Sequence, residues 1–209
     1  SPAFLAGESY GGFRVAKMAR KLQERYGVGL NGVVLISPAI EFASLFGTDY
    51  DLTSWVELMP TQAAVAHFHG KCRSAGPETP LAKVLSEAES FASTKLLHWL
   101  ARGEALPPAE IGELAEQMSR LIGIPKDVLV RCGGRIGTER FCRLLLREDR
   151  RLVGRYDGSV TAVDPYPDRE GYDGPDATLA SIDRLFTAGI NQHLRQTLGV
   201  DTELDYRLL

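Results

Sequence analysis

The first forty residues carry two short apolar runs separated by an amphipathic stretch. The runs are Ala3-Phe4-Leu5-Ala6 and Val33-Val34-Leu35-Ile36, and between them hydrophobic side chains recur at helical spacing from about Phe13 to Gly27. That spacing predicts a helix with one apolar face, and a continuous apolar run is typical of a strand buried on both faces of a parallel sheet. Residues 3–37 are therefore predicted to form a β-α-β unit.

After residue 40 the pattern is mainly helical. Helices are predicted over 52–70 with an interruption at Met59-Pro60, over Leu81–Arg102, from Pro107-Pro108 to Ile122, over 125–131, over 138–148 with Thr138 as its cap, and over 182–198 before Gly199. Loops are predicted from Cys72 to Pro80 and over 164–176, and a small hairpin over 152–161 with Asp157-Gly158 at its turn.

The turn after the first apolar run carries Gly7-Glu8-Ser9-Tyr10-Gly11-Gly12. Gly-x-Ser-x-Gly between a strand and a helix is the nucleophile elbow of α/β-hydrolases, in which the serine lies on a strained turn with its hydroxyl exposed. Side chains in place of the flanking glycines Gly7 and Gly11 are expected to crowd that turn. The pentapeptide alone is common by chance, but its position between a predicted strand and a predicted helix makes it informative.

The predicted fold class is α/β. Residues 1–40 are interpreted as part of an α/β-hydrolase core, residues 41–200 as a mainly helical cap insertion with a small hairpin, and residues 201–209 as the start of a return to the core sheet. The chain lacks an initiator Met and enters a core strand within four residues, which favours an internal fragment of a longer protein.

Composition narrows the classes of function. The 209 residues are 44% hydrophobic and 24% charged with a net charge of -3, which suits a globular core and gives no basic footprint for nucleic acid or a membrane surface. No apolar run is long enough to cross a bilayer. The three cysteines are too few for a disulfide framework or a cysteine-rich zinc site and are predicted to be free thiols; no cofactor and no metal are expected.

A serine nucleophile needs a base, which in this fold is a histidine that follows an Asp or Glu along the chain. His67 and His69 precede Cys72, a pattern that suggests a metal, but no fourth ligand is evident and a surface or cap role is favoured. His98 is predicted to be structural, and His193 belongs to a helix rather than to a loop after a strand.

The missing partners of Ser9 are therefore expected outside the chain. The triad Asp and His are predicted beyond Leu209. One oxyanion donor is the backbone N–H of Tyr10, and the second is predicted upstream of Ser1. Residues 1–209 by themselves are expected to be inactive.

Residues 7–12 resemble the Gly-Glu-Ser-Tyr-Ala/Gly-Gly signature of the serine carboxypeptidases, the family of carboxypeptidase Y. Residues 31–36 resemble the strand that leads into the family's helical cap, and residues 51–70 and Val153-Gly154-Arg155 are similar to bacterial members. Three cysteines depart from the disulfide-rich cap of eukaryotic members and favour a bacterial-type protein.

The resemblance implies roles for three residues. Ser9 would be the acylated nucleophile; Tyr10 would donate its backbone N–H to the oxyanion, and its ring would border the pocket for the penultimate side chain. Glu8 would bind the substrate's terminal carboxylate. Two carboxyl groups in contact share a proton, so activity is expected to be favoured at acidic pH.

The implied reaction is removal of C-terminal residues from peptides through an acyl-enzyme on Ser9. A peptide or small acyl substrate is the expected partner, the oligomeric state is open, and a periplasmic or secreted location is favoured. Two alternatives remain: an esterase or acyltransferase on the same scaffold, and a non-catalytic helical interaction module.

Overall fold

The computed structural model describes residues 2–43, 45, 48, 50–169, 176–180 and 182–206, with the backbone alone at residue 184. The protein is a mixture of helices and short strands in which helices dominate. It divides into two compact units, Ser1–Ser54 and Trp55–Leu209.

The first unit is the predicted β-α-β arrangement. Strand β1 (Phe4–Glu8) leads into helix α1 (Tyr10–Tyr26), and strand β2 (Gly32–Ile36) returns parallel to β1, in a register that pairs Phe4 with Gly32 and Glu8 with Ile36. Helix α1 begins at Tyr10, three residues earlier than its apolar spacing indicates. It ends at Tyr26 and is capped by Gly27, whose φ of 63° is the left-handed conformation that glycine adopts without strain.

The prediction that the second strand is buried on both faces is wrong. The side chains of Val33, Val34, Leu35 and Ile36 are between 39% and 53% exposed. A strand is buried on both faces only when neighbouring strands and helices cover it, and β1 and β2 pair only with each other in the described sheet. Among the described residues of this unit, Val15 is the one hydrophobic side chain that is buried.

The second unit is built from helices and one hairpin. Its elements are α2 (Leu52–Phe68, which begins before the division between the units), α3 (Leu81–Phe91), a π-helical segment (Ala92–Leu96), α4 (Leu97–Arg102), a 3-10 turn (Gly103–Ala105), α5 (Pro108–Ile122), α6 (Lys126–Arg131), α7 (Thr138–Leu144), a 3-10 turn (Arg147–Asp149), β3 (Arg151–Val153), β4 (Thr161–Val163), α8 (Asp183–Gln192) and a second π-helical segment (His193–Thr197). Trp99, Met59, Leu96 and Met118 are among its largest fully buried side chains.

Helix α2 runs through Pro60 without the predicted interruption. A proline inside a helix costs about 3 kcal/mol relative to alanine because it removes a hydrogen bond and crowds the preceding turn. Met59, Ala63 and Ala66 on this helix are completely buried, and we infer that their packing offsets the cost. Phe68, the last residue of the same helix, is largely exposed.

Two further details of the second unit differ from the sequence predictions. Thr138 is the first residue of α7 rather than its cap; Gly137 occupies the capping position, and no side chain there bonds to the helix. The hairpin exists, but its strands stop short of Asp157-Gly158 and leave residues 154–160 as a loop. The amides of Arg155 and Asp157 bond to the side chains of Asp176 and Thr178, so they do not extend the ladder.

The final helix and the loop from Cys72 to Pro80 are confirmed. The predicted loop over 164–176 lies partly outside the described residues; its described residues, 164–169 and 176, belong to no helix or strand. Tyr206 belongs to no strand, and residues 207–209 lie outside the described residues, so the return to a core sheet stays a prediction.

Candidate functional site

Ser9 is the single residue between β1 and α1. Its backbone has φ 54° and ψ -122°, a combination that is strained for any residue with a Cβ. Three hydrogen bonds hold the turn in place: the Ser9 amide donates to the Ile36 carbonyl at 3.0 Å, and the Ser9 carbonyl accepts from the amides of Gly12 at 3.0 Å and Ala39 at 2.9 Å. The strain is therefore maintained by the second strand, the loop after it and the first turn of the helix.

The side chain of Ser9 is exposed and does not cap the helix that it precedes. Serine at this position usually bonds to an amide of the first turn. Because the Ser9 hydroxyl makes no such bond, it is available to other groups. The amides of Tyr10 and Gly11 lie in the first turn of α1, where backbone N–H groups have no intrahelical acceptor. A nucleophilic oxygen and unpaired amide donors thus occur in one turn of the chain.

Close packing at the elbow requires glycine at residues 7 and 12. The Gly-x-Ser-x-Gly pattern places its glycines at residues 7 and 11, so the two sets share only Gly7. A Cβ at Gly7 would collide with the Gly11 carbonyl and lie 2.8 Å from the Gly12 nitrogen. A Cβ at Gly12 would lie 2.5 Å from the Pro38 Cβ. No atom lies within 4 Å of a Cβ at Gly11, so the expectation of crowding is right for Gly7 and wrong for Gly11.

Glu8 and Tyr10 flank the serine and are both exposed. The Glu8 carboxylate makes no hydrogen bond or ion pair with any described residue, and Tyr10 is 54% exposed. The ring of Tyr10 stacks on Phe13 with centroids 5.7 Å apart, and Phe42 contacts both rings, at 5.9 Å from Tyr10 and 5.1 Å from Phe13. An aromatic surface therefore borders the elbow.

Sequence reasoning missed Phe13 and Phe42 as neighbours of the site. Phe13 could have been found, because residues three apart on a helix lie on the same face. Phe42 could not, because it reaches the rings from the irregular segment after β2, for which the sequence offers no periodicity.

None of the four histidines belongs to the unit that contains Ser9, since residues 1–54 include no histidine. Within the second unit, His67 Nε2 lies 3.0 Å from the Thr79 carbonyl oxygen, and His69 Nε2 lies 2.7 Å from that of Gly158. His98 Nε2 is 3.2 Å from Glu110 Oε1, and His193 is exposed on the last π-helical segment. The first three rings are therefore engaged in structural contacts.

The structure gives no metal-binding arrangement to the residues it describes. The side chains of His67 and His69 bond to different backbone carbonyls, while the Cys72 sulfur is 3.4 Å from the Ser74 hydroxyl. No three His, Cys, Asp or Glu side chains converge in the described part of the chain. His67 and His69 instead connect the end of α2 to two loops.

All three cysteines are free, as predicted. Burial raises the pKa of the Cys132 thiol, and burial together with the nearby Asp176 carboxylate raises the pKa of the Cys142 thiol to about 11. A thiol must ionise to act as a nucleophile, so Cys132 and Cys142 are poor candidates for catalysis. Ser9 remains the nucleophile candidate with the most suitable position.

In the described residues, no helix is both long and apolar enough to cross a membrane. Comparison of the chain with protein-family models, curated proteins and solved structures found no significant match. The assignment of a function therefore depends on the residues and geometry of the elbow.

Proposed function

We propose that this chain contributes the nucleophile elbow and a helical cap to a serine carboxypeptidase-like α/β-hydrolase. The observation that carries the proposal is the strained backbone of Ser9, φ 54° and ψ -122°, at a strand-to-helix turn with an exposed hydroxyl. Such strain is costly, at about 1–3 kcal/mol, and persists where the surroundings enforce it. In α/β-hydrolases this backbone conformation directs the serine oxygen toward the substrate.

In the proposed reaction the Ser9 oxygen attacks the carbonyl carbon of the last peptide bond while a histidine base takes the hydroxyl proton. The Tyr10 amide stabilises the negative charge on the carbonyl oxygen. The base returns the proton to the leaving amine, and an acyl-enzyme remains on Ser9. Water then hydrolyses the ester by the same route and frees the shortened peptide.

The proposed base and its carboxylate belong to a part of the protein other than residues 1–54, which contain no histidine. We propose that they follow Leu209 in a longer protein, and that the second oxyanion donor precedes Ser1. Glu8 is proposed to bind the terminal carboxylate of the substrate, which its exposed position allows. The Tyr10, Phe13 and Phe42 rings supply an apolar surface for a side chain next to the reacting bond.

The test is covalent labelling of the full-length protein with a fluorophosphonate, which reacts with activated serines. We expect labelling that Ser9→Ala abolishes, because it removes the attacking oxygen. Ser37→Ala is a matched control: Ser37 is also exposed, belongs to the same unit and has a positive φ of 43°. Labelling that survives Ser9→Ala, or no labelling of the unaltered protein, would contradict the proposal and favour a non-catalytic helical interaction module.

The role of Glu8 has a separate test with peptide and ester substrates. A carboxylate pair that shares a proton predicts peptidase activity that falls from about pH 5 to about pH 9. Glu8→Ala should raise KM for peptides with a free C-terminal carboxylate and leave hydrolysis of a blocked ester unchanged. Activity that rises steadily over that pH range would exclude this role. Transfer of the acyl group to an alcohol in preference to water would identify the acyltransferase alternative.

A further inference from the structure

A groove of about 660 Å³ lies in the second unit between α3, the π-helical segment Ala92–Leu96 and α5. We call it the α3–α5 groove. Phe91 and Leu121 form its apolar floor, while Lys83, Lys95 and Arg120 bring three cationic groups and Glu87 brings one carboxylate. Hydroxyl groups of serine and threonine side chains also line it. It shares no residue with the elbow.

The charge of the α3–α5 groove is opposite to that of the whole chain. Three cations against one carboxylate give a local excess of two positive charges, in a protein whose net charge is -3. Lys95 donates a hydrogen bond of 2.5 Å to the neutral side chain of Gln117, which positions its ammonium without neutralising it. Lys83 and Arg120 form no ion pair with any residue that the structure describes.

The π-helical segment shapes one wall of the α3–α5 groove. The Leu97 amide donates to the Ala92 carbonyl five residues earlier, which is the wider winding of a π-helix. Ser93 and Thr94 hydroxyls donate to the Glu89 and Ser90 carbonyls at 2.7 and 2.6 Å and stabilise the preceding turn. Such segments are rare and often accompany binding sites. This one carries Lys95 to the side of α5.

The opposite wall is also fixed by backbone bonds. The carbonyl of Arg120 accepts hydrogen bonds from the amides of Arg73 at 2.6 Å and Ser74 at 3.1 Å. These bonds anchor the loop after α2 to the last turns of α5. The guanidinium of Arg120 therefore extends from a fixed backbone into the groove, and its planar set of donors matches the oxygens of a phosphate or carboxylate.

We propose that the α3–α5 groove binds a small organic anion, with its phosphate or carboxylate group between Lys83, Lys95 and Arg120. The apolar part of the ligand contacts Phe91 and Leu121, both nearly fully buried at the floor. The proposal is independent of the function proposed for Ser9, because the two sites have no residue in common and its test does not measure activity.

The experiment is a titration of the chain followed by backbone amide NMR, with phenyl phosphate, phenylacetate and phenol as probes. Phenyl phosphate or phenylacetate should give saturable shifts in α3, the π-helical segment and α5, and phenol should not. Tighter binding of phenyl phosphate identifies phosphate as the favoured group, and equal or tighter binding of phenylacetate identifies carboxylate. If neither anion gives saturable shifts up to about 10 mM, the proposal is overturned. A dissociation constant of about 10 mM corresponds to a binding free energy of only about 2.7 kcal/mol.

Variants test whether the groove itself is responsible. Lys83→Gln/Arg120→Gln should weaken anion binding by about tenfold or more, since each removed group makes charge-assisted hydrogen bonds. Lys21→Gln/Arg102→Gln removes the same two charges from exposed positions outside the groove and should leave the affinity unchanged. All four substituted residues are exposed, so both double variants should keep the fold. The backbone amide spectrum of each variant verifies this. Equal losses in the two double variants would show general charge attraction and contradict a defined site.

Discussion

At the scale of single residues, the elbow depends on a few backbone positions rather than on many contacts. Ser9 has its unusual φ and ψ because its amide and carbonyl are both held by partners from other segments. Gly7 and Gly12 permit that geometry because each backbone approaches another segment too closely for a side chain. The hydroxyl of Ser9 contributes nothing to the cap of α1, so the turn is not explained by helix stability alone.

Alanine substitutions should distinguish Gly7 from Gly11. We expect Gly7→Ala to lower the free energy of unfolding by about 1–3 kcal/mol, because the new methyl group collides with the backbone of α1. A methyl group at residue 11 meets no other atom. Gly11→Ala should therefore raise the free energy of unfolding by about 0.4–1 kcal/mol, because alanine restricts the unfolded chain. Urea denaturation monitored on α1 measures both. Equal effects at Gly7 and Gly11 would show that close packing does not determine the glycine at residue 7.

At the scale of elements, the loop between β3 and β4 is stabilised by side chains. Ser159 donates to Asp157 Oδ1 through its hydroxyl at 2.6 Å and through its amide at 2.9 Å. These bonds lower the pKa of the Asp157 carboxyl, the hydroxyl bond being the larger cause. Because the pKa is lower in the folded state, the bonds stabilise the loop above the ordinary aspartate range, and the effect is lost as pH falls through the lowered value.

Removal of one hydroxyl should shift this titration. We expect Ser159→Ala to raise the pKa of Asp157 toward the ordinary aspartate value without reaching it, because the Ser159 amide bond remains. Carboxyl NMR titration from about pH 2 to about pH 6 measures the change. Ser93→Ala, a serine of the π-helical segment, is the control and should leave the Asp157 titration unchanged. No shift in Ser159→Ala would mean that the hydroxyl bond does not determine the pKa.

Helix α7 is joined to the segment after β4 by a buried ion pair that the sequence did not indicate. The side chains of Arg143 and Asp164 are 2% and 1% exposed, with Nη2 and Oδ2 3.4 Å apart. Arg143 also donates to the Tyr166 carbonyl, and Asp164 Oδ1 accepts from the Tyr166 amide at 2.8 Å. These bonds fix the chain directly after the hairpin.

We expect Asp164→Asn to lower the free energy of unfolding by about 3–5 kcal/mol, because a buried guanidinium loses its counter-charge. Arg143→Met/Asp164→Asn should recover most of the loss, since neither charge remains. Chemical denaturation measures both variants. The control is Asp127→Asn, whose partner Arg131 is exposed, and it should cost less than about 1 kcal/mol. A small effect of Asp164→Asn would mean that water or rearranged side chains solvate Arg143.

At the scale of the whole molecule, the two compact units differ in the size of their cores. In the described chain, the first unit buries a single hydrophobic side chain, Val15, whereas the second buries long apolar faces of α3 and α5. Local stability follows the number of buried apolar contacts. The units are therefore expected to differ in their resistance to opening.

Hydrogen exchange should report this difference directly. We expect backbone amides in the middle of α1 to exchange about tenfold or more faster than those in the middle of α5, because opening the first unit exposes little buried surface. Amide exchange followed by NMR or mass spectrometry on the same chain measures both helices under one condition. Equal protection would show that the first unit is stabilised by contacts other than its own hydrophobic core.

The sequence by itself determined the elements and the candidate nucleophile. The sequence predicted α1, α5, α6 and the final helix, and glycines marked the ends of α1 and α5, because these signals depend on neighbours within one or two turns. It also predicted one continuous helix over residues 81–102, which the structure divides into α3, a π-helical segment and α4. The order strand, Gly-Glu-Ser-Tyr-Gly, helix was sufficient to predict a turn at Ser9. The role of that serine in catalysis is still a proposal.

Tertiary structure alone decided everything that depends on distant partners. Four features involve residues far apart in sequence or the layers that cover them. They are the exposure of β2, the continuity of α2 through Pro60, the close packing at Gly12 rather than at Gly11, and the Arg143–Asp164 pair. The α3–α5 groove belongs to the same class, since α3 and α5 are separated by α4 and a 3-10 turn. Periodicity shows which side of a helix is apolar, but only the folded chain determines which groups meet there.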